Sequence, residues 1–449
     1  MLLHVPASLD GLLSLFASCF TQPTFQTFRA LVVGQISQTA RRTVCGMLVG
    51  SRLAGVWHHC RAHRFFSNAR WSVDELGLAI LDVIVARLAE PGAPIVVAID
   101  DTLLHRFGRK VHACFYHYDA TANSDRAAVA WGNNWVVAGV NVRLAFSART
   151  VCLPVLFRLW SPKRGHIPQH KPDPERPSKP QLAREMVDLI AARQPARKIH
   201  TVGDTAYASG AFDGLPGHIT ITSRLKSNAT LYQPKPARTG KRGQPAKKGK
   251  RLPTLAQIAT DPATAWQQIT ATRYGKTEQL SVITLRCLWP GAFRYTPVQV
   301  VLIQDTTKPA GYQLALISTD LKASAAQLIE RYGDRWPIEV CFEEAKHLAG
   351  VGHARNRTKN AVERTVPFQL LCMTLTILWY ALSGHHPADV SEHRARAPWY
   401  LTKTTPSFAD MLAKLRRTII AAQYLPGQPR NPTPQEITQV QTAWAAASL

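Results

Sequence analysis

Two apolar, β-branched runs that each stop at an aspartate constrain this chain more than any other feature: IVVAID, ending at Asp100, and KIHTVGD, ending at Asp204. A continuous apolar run of strand length reads as a buried central strand, covered on both faces. WVVAGVNVRLAF and TVCLPVLFRLW add two strands between the acids, QLAREMVDLIAARQ has helical period, and HITITSRL follows the second acid as another strand. Three strands, a helix and further strands predict an α/β fold around a mixed sheet.

At 449 residues the chain exceeds one simple core, so two or three domains are expected. Residues 1–88 read as helical, with Ser72 and Glu75 spaced as a capping box ahead of VDELGLAILDVIVAR. Pro91, Gly92 and Pro94 mark the turn that ends this region. The α/β region occupies 89–225 and resumes at 322–385. Between them, 226–321 read as a β-rich insertion with a basic loop, carrying the strands QLSVITLRCLW and TPVQVVLIQD. A helical C-terminal region spans 386–449.

Lys and Arg outnumber Asp and Glu by 54 to 29, a net charge of +25, which calls for a polyanionic partner, either nucleic acid or an anionic membrane surface. The membrane fares poorly: the best apolar stretch, 366–382, contains Pro367, Gln369, Thr374 and Thr376 and falls short of the ~20 apolar residues of a spanning helix. It reads as a buried core helix. The first twenty residues have no basic start and include Asp10, which speaks against a secretory signal. Eight scattered cysteines without a CxxC pair suit free thiols in a reducing compartment, for which the cytoplasm fits.

Phosphoryl transfer between DNA strands uses two divalent cations about 3.5–4 Å apart, and Mg²⁺ requires oxygen ligands delivered from rigid elements. Asp100 and Asp204, at the ends of neighbouring strands, can converge on one point. Either acid alone is as readily a turn or cap residue. A third group lies in the helical pattern YGDRWPIEVCFEEAK. At about 100° per residue Tyr332, Arg335, Glu339 and Lys346 share a stripe of roughly 60°, with Glu343 beside it and Glu344 off it. Pro337 starts a new helix there or kinks one. Geometry alone equally allows a solvated charged face.

YGDRWPIEVCFEEAK is similar to the Y-(2)-R-(3)-E-(6)-K signature of bacterial insertion-sequence transposases of the family-four superfamily, DDE enzymes with a ribonuclease-H-like fold. AIDDT resembles the first-acid motif and VGDTAY the second, over roughly residues 90–385. The resemblance implies Asp100, Asp204 and Glu339 as catalytic ligands of two Mg²⁺ ions, for which Mn²⁺ substitutes. It implies Arg335 and Lys346 as phosphate contacts and Tyr332 as a site-shaping or phosphate-binding hydroxyl. It further implies double-stranded DNA partners, namely terminal inverted repeats and target DNA, engaged by a homodimer through a hairpin intermediate. Two other readings stay open: a ribonuclease-H-like nuclease or resolvase, and a domesticated binder without catalysis. Asp101 competes with Asp100; Asp100 keeps the Asp-x-Thr spacing, and only one of two successive strand residues points at the metals.

Weaker signals complete the reading. The loop Lys235–Arg251 carries eight cations and no acid, and its Gly and Pro content predicts a phosphate-contacting loop that is disordered until DNA binds. In HHCRAH, His58, His59, Cys60 and His63 lack a second ligand pair at usual spacing, so they read as a DNA-contacting surface and not a zinc site. Relatives can stack a tryptophan on a flipped base; Trp289 has the location for it, but reads as a core residue. WGNNWVVAG reads as core packing about a Gly-Asn turn.

Overall fold

The computed structural model describes residues 3–119, 129–147, 149–162, 176–236, 246–304, 311–400, 402–424 and 434–447. Five helices come first: α1 (Ala7–Ser14), α2 (Gln22–Ser37), α3 (Val44–Gly50), α4 (His59–Ser67) and α5 (Val73–Arg87). Strands β1 (Ile95–His105), β2 (Phe115–Tyr118), β3 (Val129–Arg143) and β4 (Thr150–Trp160) follow, then α6 (Lys179–Arg193), β5 (Ile199–Gly203) and β6 (Ile219–Arg224). Next stand α7 (Leu255–Thr260), β7 (Gln267–Arg273), β8 (Lys276–Leu288), α8 (Pro290–Phe293), β9 (Pro297–Gln304) and β10 (Tyr312–Ser318). The chain closes with α9 (Ala325–Gly333), α10 (Trp336–His347), α11 (Lys359–Trp379), α12 (Asp389–Arg396), α13 (Phe408–Tyr424) and α14 (Pro434–Ala446).

One mixed sheet runs in the order β2–β3–β1–β5–β6–β10–β9–β8–β7, with β4 also paired to β3. The pairs β1–β5 and β5–β6 are parallel and the rest antiparallel. The α/β expectation therefore holds, in an arrangement compatible with a ribonuclease-H-like DDE fold. The strands of the 226–321 stretch extend this sheet, because β10 pairs with β6 as well as with β9.

Local chemistry explains the elements. Ser72 Oγ accepts the Glu75 N–H at 3.3 Å and opens α5, while Arg87 lies in its last turn where a cation suits the helix dipole. Gly77 on α5 lets that helix press against β4, since a Cβ there would meet the Val155 carbonyl oxygen at 1.9 Å. On α11, every residue from Thr365 to Trp379 is buried. By length and composition this helix could cross a membrane, but it lies packed against α2, α4, α5, α13 and β4, as the core reading of 366–382 expects. The N-terminal helices contribute Leu31, Phe65 and Leu81 to the same apolar cluster as Val137 of β3 and Phe368 of α11. A smaller cluster lies between β7–β10 and α9.

One reading needs correction. WGNNWVVAG contains no turn: Gly132, Asn133 and Asn134 lie inside β3, and Gly132 is needed because β1 passes so close that a Cβ would meet the Leu104 carbonyl oxygen at 2.4 Å. Trp135 is buried there, while Trp131 packs edge-on against Tyr116. The charged stripe spans two helices, so of the two possibilities left open at Pro337 the new helix is the one that forms. The chain breaks at Asp334, where the backbone carbonyl accepts from Asn141 and Oδ1 accepts from Thr150 Oγ1 at 3.2 Å. Pro337 sits in the first turn of α10, where its missing N–H costs nothing.

Candidate active site

Strand register brings the first two acids together. In the parallel pair β1–β5 the last partners are Ile99 and Gly203, so Asp100 and Asp204 stand side by side one residue further on. Unlike β5, β1 does not stop there; it continues antiparallel to β3 as far as His105. Asp100 is thus inside its strand yet at the end of the parallel ladder, the position where α/β sheets open a crevice.

Arg335, at the N-cap of α10, ties the third acid to the first. Its Nη1 donates to Asp100 Oδ2 at 3.2 Å and to Glu339 Oε1 one helical turn on. The guanidinium also lies over the Tyr332 ring, 5.8 Å from its centroid, so Tyr332 of α9 and Glu339 of α10 meet at one cation. Arg335 Nε is buried and has no hydrogen-bond partner, an unmet donor in the crevice. Arg335 thus contacts two of the three carboxylates and its charge reaches Asp204, but the oxygens of the three do not all approach within 4.8 Å of one another.

The electrostatics are those of crowded acids. Burial pushes the Asp100 carboxyl up to about 7; the charges of Asp204 and Asp101 add to the rise, and the Asp101 N–H and Arg335 oppose it. Burial likewise raises Asp204, with Asp101 adding to it and the Ala206 N–H, 2.9 Å from Oδ1, opposing it. Such a site gains by taking in positive charge. Hard carboxylate oxygens, at the end of a parallel ladder with too little countercharge, match a hard divalent cation.

Asp101 has other company. Its Oδ2 accepts from Lys179 Nζ at 2.6 Å and from Asn134 Nδ2 at 3.1 Å, and its Oδ1 accepts from the Tyr207 hydroxyl at 3.4 Å. Asp100 reaches toward α10 and Asp101 toward the start of α6, as alternation along a strand demands. Sequence reasoning missed Lys179 and Tyr207. Tyr207 is three residues past Asp204 in VGDTAY, but nothing local ties Lys179, 78 positions from Asp101, to this place.

The remaining candidates divide. Lys346 is half-buried two turns beyond Glu339; burial lowers its pKa, and Asp119 opposes the fall. Asp119 in turn pairs with His105 at 2.8 Å, which places Lys346 toward the far end of β1. Glu344 is also half-buried, and burial followed by the Glu343 charge pushes it up to about 7; it makes no contact with Asp100, Asp204 or Arg335. Trp289 is buried at 8% exposure beside Phe293, a core residue as expected. Trp336, which follows Arg335 in the chain, is half exposed and lies edge-on to Tyr274 at 6.3 Å. Of the basic loop, Lys248 lies over the Tyr232 ring at 3.8 Å and Lys247 near Tyr295, while Arg238, Lys241 and Arg242 fall outside the described residues.

Residues 15–283 match the model of a family described as DDE superfamily endonuclease, more than half of the chain. The chain belongs to that family. Membership brings a metal-dependent nuclease acting on DNA, in a superfamily that uses divalent ions, so the DDE character expected from AIDDT and VGDTAY stands. The match takes in Asp100 and Asp204 and stops before Glu339. No curated protein matches this DDE endonuclease.

Proposed function

We propose that this DDE endonuclease is a transposase, which binds the terminal inverted repeats of a mobile element as a homodimer, cuts the element ends and joins the 3′-OH ends to target DNA. The observation that carries the reading is that Arg335, at the N-cap of α10, bonds both Asp100 of β1 and Glu339, while the β1–β5 register sets Asp204 beside Asp100. A protein that only binds DNA gains nothing from facing phosphates with clustered carboxylates.

Asp100, Asp204 and Glu339 would hold the two Mg²⁺ ions, which supply charge neutralisation and an activated oxygen for in-line displacement at phosphorus. The chain's own groups do the positioning. Arg335, whose Nε has no partner within the protein, turns from the acids toward a DNA phosphate and contacts it in a charge-assisted hydrogen bond. Tyr332 buttresses that guanidinium, and Lys346 adds a phosphate contact further along α10. Lys179 and Tyr207 hold Asp101 away from the reacting groups. The exposed Trp336 offers a stacking face to a displaced base. The N-terminal helices and the loop Lys235–Arg251 supply further positive charge for duplex DNA.

The deciding experiment incubates the purified chain, Mg²⁺, a duplex bearing the inverted repeat that flanks its reading frame, and a supercoiled target plasmid. Nicking at the repeat end followed by covalent joining to the plasmid is the expected result. Cleavage of branched DNA without joining would instead favour a resolvase.

A further inference from the structure

Beyond the carboxylates, β1 runs into a loop that holds an apolar ring out in solvent. Phe107 is 90% exposed, more than any other large apolar side chain among the described residues. Both of its chain neighbours are fastened. Arg106 is buried; its Nε donates to Asn133 Oδ1 at 2.9 Å and its Nη1 to the Ala354 carbonyl oxygen at 2.7 Å. The Gly108 carbonyl oxygen accepts the Trp131 indole N–H at 3.3 Å. Folding the loop inward to cover one ring would leave a buried cation short of acceptors, which opposes the gain.

More rings and cations stand around Phe107. Tyr116 faces Trp131 across the β2–β3 ladder, with ring centroids 5.0 Å apart and the rings edge-on. Tyr116 and Tyr118 share the outer face of β2, the edge strand, while Phe115 and His117 turn inward. Arg109 and Lys110 follow in the same loop and are exposed. Arg355 and Arg357, also exposed, reach this rim because the Arg106–Ala354 bond and the His112 N–H, donating to the Arg357 carbonyl oxygen at 2.9 Å, lace the two segments together. Neither 105–118 nor 352–360 contains an acid. Of the acids at the margin, Asp119 is buried against His105 and Glu363 faces His112.

Rings interleaved with cations suit a single strand of nucleic acid, whose bases stack on the rings while its phosphates meet the charges. From Asp100 to His105 the strand climbs about 3.3 Å per residue, about 17 Å in all. At 3.4 Å per nucleotide that is about five nucleotides of DNA. Lys346 lies toward the same end, since Asp119 acts on its charge. We propose that Phe107, Tyr116 and Trp131 form a stacking surface for unpaired bases of the DNA strand that runs on from the carboxylate site. The direction of that strand rests on reading the carboxylates as a DNA-cleaving site; the stacking itself does not.

The test measures binding of the purified full chain, in EDTA so that nothing is cut, to a fluorescent oligothymidine strand and to a blunt duplex of equal length. Phe107→Ala should weaken single-strand binding roughly 5- to 150-fold, the range for one base lost from an aromatic ring, and duplex binding less than about twofold. Phe107→Trp, which keeps a ring, should bind the single strand at least as well as wild type. Arg109→Ala and Lys110→Ala should each reduce the salt slope of single-strand binding by about 0.7. Circular dichroism reports the fold of each variant. Single-strand affinity unchanged in Phe107→Ala, or an equal loss on the duplex, would overturn the stacking. So would a DNA-free dimer that Phe107→Ala dissolves, which would assign the surface to a second copy of the chain. Mg²⁺-dependent nicking by the wild-type chain is scored separately: its failure sinks the reading of the carboxylate site, while the binding series still decides this surface.

Discussion

Arg335 Nη1 stands 3.2 Å from Asp100 Oδ2, although the two residues are 235 positions apart in the chain. This contact fastens the start of α10 to the middle of β1, and the same nitrogen reaches Glu339. The guanidinium therefore does two things at once: it neutralises acids that crowd one another, and it marks where α10 must sit for Glu339 to join the strand acids.

Substitutions along α10 should fail in different ways. Glu339→Gln removes the charge needed to hold Mg²⁺ and should abolish nicking while binding of the element end persists. Arg335→Ala should weaken end binding by about 1.5–3 kcal/mol, the worth of a hydrogen bond to a charged group. Lys346→Ala should weaken it less. Glu344→Ala should nick at near wild-type rate. Gel-shift affinities and Mg²⁺-dependent nicking on one duplex separate these outcomes; a Glu339→Gln chain that nicks normally beside an inactive Glu344→Ala would move the third acid to Glu344.

The adjacent aspartates should part company. Asp100→Ala should be inactive with DNA binding intact. Asp101→Ala should retain reduced cleavage but lose about 1–3 kcal/mol of stability, because Lys179 and Tyr207 are left without their half-buried partner. Urea unfolding and nicking assays on both variants check this. Full activity of Asp100→Ala with none in Asp101→Ala would reverse the assignment.

Crowding at Asp100 should appear in the pH dependence of stability. Its carboxyl titrates near about 7 in the folded chain against an ordinary 3.8, so between those values the folded state holds a proton that the unfolded state has released. Stability from this group is therefore greatest below about pH 4 and is lost as pH rises toward about 7. In the presence of EDTA, Asp100→Asn should melt above wild type at pH 8, by ~2–4 kcal/mol if the whole shift is expressed, and the gap should close at pH 4. An equal gap at both pH values would show that the shift is not felt.

Salt should weaken DNA binding steeply, since a chain of +25 net charge releases counterions for each phosphate it neutralises. Deleting the segment between Lys235 and Arg251 should flatten the slope of log affinity against log salt. An unchanged slope after deletion would remove this loop from the interface.

The strands that carry Asp100 and Asp204 were legible because covered strands must be apolar throughout, and an acid that ends such a run is conspicuous. The helix of 366–382 was legible as core for the same reason: its polar interruptions suit a packed interior. The break before Arg335 was foreshadowed by Pro337, whose chemistry is local. Sequence by itself thus determined the α/β class, the DDE family and the residues worth suspecting. It could not determine which of Asp100 and Asp101 meets α10, because alternation says only that they differ; the β1–β5 register and Arg335 decide that. It could not show that β10 joins β6 and makes the inserted strands part of one sheet, nor that Lys179 holds Asp101. Each of these rests on pairings between residues far apart in the chain, whose side chains become neighbours only when the sheet and the helix layers are packed, and no local pattern records that.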